Sequence, residues 1–192
     1  MADTPVSLLD RLRDRPDPQS WDRLIQVYEP FLRRFLRDPA LQSDADDLLQ
    51  DILTVLVREL PKFRRQRTGS FRAWLRTVAV NRVNAWWRQK AGRPAAAGGT
   101  DAAVRLAELA DPASGLSRQW DAEHDRHVAR RLLELLEPEF TPGTWAAFRR
   151  QVVDGLPASA AAAELGISVN AALLAKSRVL RRLRDEAAGL ID

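Results

Sequence analysis

Residues 44–60 read DADDLLQDILTVLVREL. Projected at about 100° per residue, Ala45, Leu49, Ile52, Leu53, Leu56 and Leu60 fall on one apolar face. Asp44, Asp47 and Asp51 form an acidic stripe on the other side, with Leu48 and Val55 beside it and outside the core arc. The period is that of a helix, and Pro61 stops it. Acids mixed with exposed aliphatics fit a partner-docking face. The same pattern also fits an amphipathic helix with a broad apolar arc.

Downstream, residues 62–70 (KFRRQRTGS) form a basic loop, and 71–90 spell a further helix. In it Phe71, Trp74, Leu75, Val78 and Ala79 read as core. Arg72, Arg76, Val83 and Trp87 gather on a neighbouring face, and Asn81, Asn84 and Arg88 on another. Aromatics interleaved with arginine suit single-stranded nucleic acid, where bases stack and phosphates pair. The basic loop suits a base taken out of the stack. Upstream, Thr4-Pro5 opens a short helix carrying Leu8, Leu9 and Leu12, and Arg15-Pro16-Asp17-Pro18 breaks it. Ser20 is placed to cap the next helix, where Leu24, Val27, Tyr28, Phe31 and Phe35 recur at helical spacing until Asp38-Pro39.

At 192 residues and 45 % apolar content, the chain suits one or two compact domains. Net charge is only +4, but it is unevenly placed. Between Arg58 and Arg93 eleven cations face one acid, and between Lys176 and Arg184 five cations face none. Two basic tracts around an acidic middle suit a polyanion. Solvated helix faces are the plainer reading, but those usually interleave signs. With no cysteine, disulfides and thiolate metal sites are excluded. His124 and His127, three apart, fall short of a metal site. No metal or cofactor is expected, and the absence of a nucleophile–base pair or phosphate-cradling glycine loop argues against an enzyme. No apolar run approaches the ~18 residues of a span, and no signal segment opens the chain, so a cytoplasmic protein without membrane insertion is expected.

Composition changes at 92–99, GRPAAAGG, and breaks again at Asp111-Pro112-Ala113-Ser114-Gly115. Residues 92–120 therefore read as a flexible linker with one weak helical turn near Val104 to Leu109. Helices resume at about 120–136, 144–154, 158–165 and 169–188. Ala158 to Ser177 has helix-turn-helix grammar, with Gly166 at the turn, Ala162 at the close approach and Ser168 as cap. Ala172, Ala175, Val179 and Leu183 share a core face. Asn170, Leu174, Ser177, Arg181 and Arg184 lie opposite, with Arg178 nearby, on a face suited to the major groove. The expected fold is all-α, with two helical domains joined by a linker.

The order of DADDLLQDI, a basic loop, FRAWLRTVAVNRV, a linker and a C-terminal helix-turn-helix resembles a bacterial RNA polymerase sigma factor of the sigma-70 superfamily. The short form, with only the second and fourth conserved regions, resembles the extracytoplasmic-function (ECF) group. The resemblance spans about residues 5–188, and the tract from Phe71 to Asn81 is its most specific piece. It implies a region 2 domain at 1–91, a linker at 92–120 and a region 4 domain at 121–192. It implies docking on core RNA polymerase, on the clamp of the largest subunit, through Asp44, Asp47, Leu48, Gln50 and Asp51, with a further contact to the flap. Phe63, Arg64, Arg65, Arg67, Ser70, Arg76, Asn81, Asn84, Trp87 and Arg88 would hold the melted −10 element. Ser168, Asn170, Leu174, Lys176, Ser177, Arg178, Arg181 and Arg182 would meet the −35 element as duplex. An anti-sigma factor is a further implied partner. The recognition helix departs from the family's polar run, carrying Ala171, Ala172, Leu173, Leu174 and Ala175, so base readout falls to Asn170, Lys176, Ser177 or Arg178, or to thymine-methyl contacts from Leu173 or Leu174. Two rival readings stay open: a stand-alone helix-turn-helix regulator with an N-terminal ligand or dimer domain, and an adaptor or anti-sigma protein. The basic loop and helix count against the second.

Overall fold

The computed structural model describes residues 7–14, 17–39, 41–64, 70–90 and 99–191, and these are all-α, with no strand among them. In chain order the helices are α1 (Leu8–Asp14), α2 (Pro18–Phe35), α3 (Ala45–Glu59), α4 (Ser70–Lys90), α5 (Gly99–Ala110), α6 (Gly115–Leu136), α7 (Pro142–Val152), α8 (Ala158–Leu165) and α9 (Val169–Ala187). Local chemistry sets most of the boundaries. Asp17, rather than Ser20, caps α2: its carboxylate accepts from the Ser20 amide at 2.8 Å, and Pro18 supplies the first turn. Ser114, Thr141 and Ser168 cap α6, α7 and α9 in the same way. The expected opening of the first helix at Thr4-Pro5 lies outside the described residues.

The main core is built by α1 to α4. Leu49, Ile52, Leu56 and Leu60 are buried from the α3 side, and Phe71, Leu75, Val78 and Ala79 from α4. Leu48, which the projection leaves outside the core arc, is buried too, because α3 packs against both α2 and α4 and so needs a wider apolar face.

The core does not end at α4. The stretch expected to be a flexible linker holds α5, which buries Ala102, Leu106 and Leu109 at helical spacing, and the first turn of α6. Helix α6 lies along α2 and touches α4. It buries Trp120, His124, Val128 and Leu132, one residue per turn. Burying an apolar side chain such as Val128 or Leu132 is worth roughly 1.5–3 kcal/mol. His124 packs against Tyr28 and Phe31, and its Nε2 lies 3.1 Å from the Tyr28 hydroxyl. The expected boundary at residue 121 therefore falls inside one packed unit.

A smaller core joins Trp145, Phe148 and Val179, with Leu133 of α6 against it. Gln151 of α7 is buried and donates at 2.8 Å to the carbonyls of Ala147 and Ala172, tying α7 to α9. Helices α8 and α9 meet at a 108° bend. Gly166 makes it, with φ 63° and ψ 32°, in the left-handed region that side chains resist. Space around it is open, so the strain is in the backbone alone. Gly166→Ala is expected to cost about 1 kcal/mol, a fall of roughly 2–4 °C in a thermal melt.

The end of α9 returns to the main core, where Ala187 and Leu190 are buried. Glu186 is fully buried there and receives three arginines. Arg11 Nη2 is 2.7 Å away, Arg23 Nη1 2.9 Å and Arg182 Nη1 2.7 Å. Glu139 bridges Arg23 and Arg182 on the outside, at 3.1 and 2.8 Å. This cluster fastens α9 to α1 and α2. No single described helix is long and apolar enough to cross a membrane.

Candidate polymerase and nucleic-acid interface

On α3, Asp47 and Asp51 are exposed, as the acidic stripe predicts, and Gln50 is exposed beside them. Two residues assigned to the same face are placed otherwise. Leu48 is core, as above. Asp44 bonds Lys90 Nζ at 2.5 Å, and that bond holds its carboxyl below the usual range. Lys90 also sits over the Trp86 ring, 4.4 Å from its centroid. The C-terminal end of α4 is thus closed onto the start of α3.

Helix α4 has an open side and a covered side. Asn81 and Arg88 are exposed and Asn84 is half-buried, and these three share one helix face. Arg64 is exposed before the helix. Phe63 is half-buried, with ring centroids 5.5 Å from Phe71 and 5.3 Å from Trp74, so its ring packs on the start of α4. Arg65, Arg67 and the side chain of Ser70 lie outside the described residues.

The covered side carries a correction. Arg76 is only 5 % exposed, and its Nη1 bonds Asp121 Oδ1 at 2.5 Å and the Ser117 carbonyl at 3.3 Å. Arg72 Nη1 bonds Asp125 Oδ2 at 2.8 Å. Val83 is fully buried. Trp87 is half-buried and lines a cavity of about 390 Å³ with Phe31, Phe35, Leu106 and Trp120. The cause is α5 and α6, which lie over this face. Arg76 is therefore not free to meet DNA in this conformation.

On α9, Asn170, Leu174, Ser177, Arg178 and Arg181 are exposed, and Lys176 is half-buried. Leu173 and Val169 join Leu174 in an apolar first turn, at 50, 46 and 47 % exposure. The Ser168 hydroxyl accepts from the Ala171 amide at 3.1 Å and so is spent on capping the start of the helix. Arg182 is removed from the reading face: it pairs with Glu139 and Glu186. The buried acid that claims it stands four residues on, a spacing that the run of cations conceals.

The His124 and His127 pair is structural. Desolvation leads the causes that hold His127 below its usual range, and its Nε2 donates to the Val27 carbonyl at 2.7 Å. Among the described residues no cluster of metal-ligating side chains occurs.

Residues 24–93 match the family model of Sigma-70 region 2. The matched stretch runs from within α2 through α3 and α4, and so contains both the acidic edge of α3 and the polar face of α4. No curated protein matches the chain.

Proposed function

From the Sigma-70 region 2 match across α2 to α4, we propose that this chain is a transcription initiation factor of the ECF type, which docks on core RNA polymerase and directs it to promoters. That match carries the reading. The exposed acids of α3 support it by giving a docking edge inside the matched stretch. Asp47, Gln50 and Asp51 meet the polymerase clamp. Arg64, Asn81, Asn84 and Arg88 hold the melted −10 strand. Helix α9 lies on −35 duplex, with Asn170, Ser177, Arg178 and Arg181 outward and Leu173 and Leu174 available to thymine methyls.

Opening duplex costs on the order of 1.4 kcal/mol per base-pair step. Stacking one extruded base on aromatic or planar groups returns about 1–3 kcal/mol, which offsets the first step of melting. Bond-making belongs to the polymerase.

The test is run-off transcription from a genomic promoter pool with purified chain and core polymerase. Promoter-specific transcripts that appear only with both components are the expected result. Tight duplex binding by the chain alone, with no transcripts, would favour a stand-alone helix-turn-helix regulator instead. The outward cations of α9 are what keep that second reading in play.

A further inference from the structure

We propose that α6 carries an internal competitor for nucleic acid: Asp121 and Asp125 occupy the cations of α4 that strand phosphates would take, so the free chain masks part of its own binding face. The inference rests on the reading of α4 as a strand-holding helix.

Three observations carry it. First, the geometry is that of a phosphate contact made by carboxylates. Arg72 Nη1 meets Asp125 Oδ2 at 2.8 Å, and Arg76 Nη1 meets Asp121 Oδ1 at 2.5 Å. The two acids stand four residues apart on α6, and the two arginines four apart on α4, so one helical turn of acid lies against one turn of base. Charge-assisted bonds of this kind are the same type that arginine makes to phosphate.

Second, the fit is incomplete. Arg72 Nε is buried without a hydrogen-bond acceptor, and the nearest acid oxygen, Asp121 Oδ2, is 3.5 Å away. A buried donor left unmade costs free energy. The acid pair neutralises the guanidinium but does not use its full fork of donors.

Third, the acids are held in place by the core rather than by the arginines alone. Asp125 Oδ1 also lies 2.9 Å from His124 Nδ1, and His124 is fixed against Tyr28. Trp120 and Val128 anchor the same helix on the main core. The competitor is thus pre-positioned and loses little entropy on pairing. A strand binding to the whole α4 face must displace it, and each displaced pair adds to the strand's apparent cost of binding.

The test measures binding of a fluorescein-labelled 20-nucleotide single strand to the full purified chain by anisotropy, across a salt series. Three proteins are compared: the parent, Asp121→Asn with Asp125→Asn, and a control, Asp22→Asn with Glu137→Gln. The control removes the same two charges from exposed sites away from α4. The first variant is expected to bind about tenfold more tightly than the parent, with a log–log salt slope steeper by roughly 1.4, equal to two further phosphate contacts at ~0.7 each. The control is expected to gain less than about threefold. Equal gains in the two variants would overturn the inference alone. Binding by none of the three would overturn the strand-holding reading and the inference with it. A second readout covers the case where the Asn variant is less folded. The parent has no cysteine, so dyes on Thr77→Cys and Gln119→Cys report the α4–α6 separation directly. Saturating strand is expected to lower energy transfer, and unchanged transfer would overturn the inference.

Discussion

Glu186→Gln is expected to lower the stability of this chain by about 3 kcal/mol at neutral pH. Burial raises the Glu186 carboxyl, but hydrogen bonds from Arg11, Arg182 and Arg23 more than reverse that and hold it at about 2, against an ordinary 4.5. A carboxylate whose pKa is lower in the folded chain stabilises the fold wherever both states are ionised, and that contribution fades once the unfolded chain begins to bind protons. That contribution is complete above pH 4.5 and is lost as pH falls from 4.5 toward 2. At about 1.4 kcal/mol per pKa unit, the depression is worth roughly 3 kcal/mol. Glutamine keeps the shape but leaves three arginines facing a neutral group, which is the costly way to break a buried ion cluster. In a thermal melt the loss is roughly 6–12 °C for a chain of this size. The pH dependence is the sharper measurement. The gap between parent and variant should close as pH is lowered from 4.5 to 2.5. A gap independent of pH would show that Glu186 contributes packing and not charge.

Asp47→Arg combined with Asp51→Arg is expected to weaken binding to core RNA polymerase by at least about 100-fold, at a cost in stability within roughly 1 kcal/mol. Both carboxylates are exposed on α3, and surface substitutions of this kind seldom move stability far. Reversing two charges at a docking edge changes the interaction by four units of charge, and like-charge juxtaposition across an interface costs several kcal/mol. The measurement is co-elution or fluorescence binding with core enzyme, alongside a melting curve. A folded double variant that binds core enzyme as the parent does would remove the docking role from α3.

Much of this molecule is legible in local sequence. The Ser168 cap gives the start of α9, the ends of α7 come within two residues, and periodicity gives most of the core faces of α3 and α4, while α2 starts and stops about three residues before its expected ends. The acidic stripe at Asp47 and Asp51, and the outward face of α9 from Asn170 to Arg181, stand where projection puts them. What is missed depends on which helix meets which. Ala102, Leu106 and Leu109 have helical spacing, but the glycines and alanines before them read as linker. Trp120, His124, Val128 and Leu132 spell an apolar stripe, yet nothing local says that its partner is Tyr28 and Phe31, about a hundred residues earlier. Arg72 and Arg76 look like nucleic-acid contacts because their acids lie some fifty residues away. Arg182 and Glu186 are neighbours on one helix, but Arg11 and Arg23 complete their cluster from the other end of the chain.

Helix α6 belongs to both cores, and that gives it the mechanics of a strut clamped along its length. Its 22 residues run about 33 Å at 1.5 Å per residue. Leu133 sits in the smaller core, twelve residues or about 18 Å from Asp121. Along that stretch Trp120, His124, Val128 and Leu132 seat the helix in the main core. A 20° tilt about Leu133 would carry Asp121 through about 6 Å, and it would draw those four side chains out with it. Freeing Arg76 therefore costs core packing as well as an ion pair.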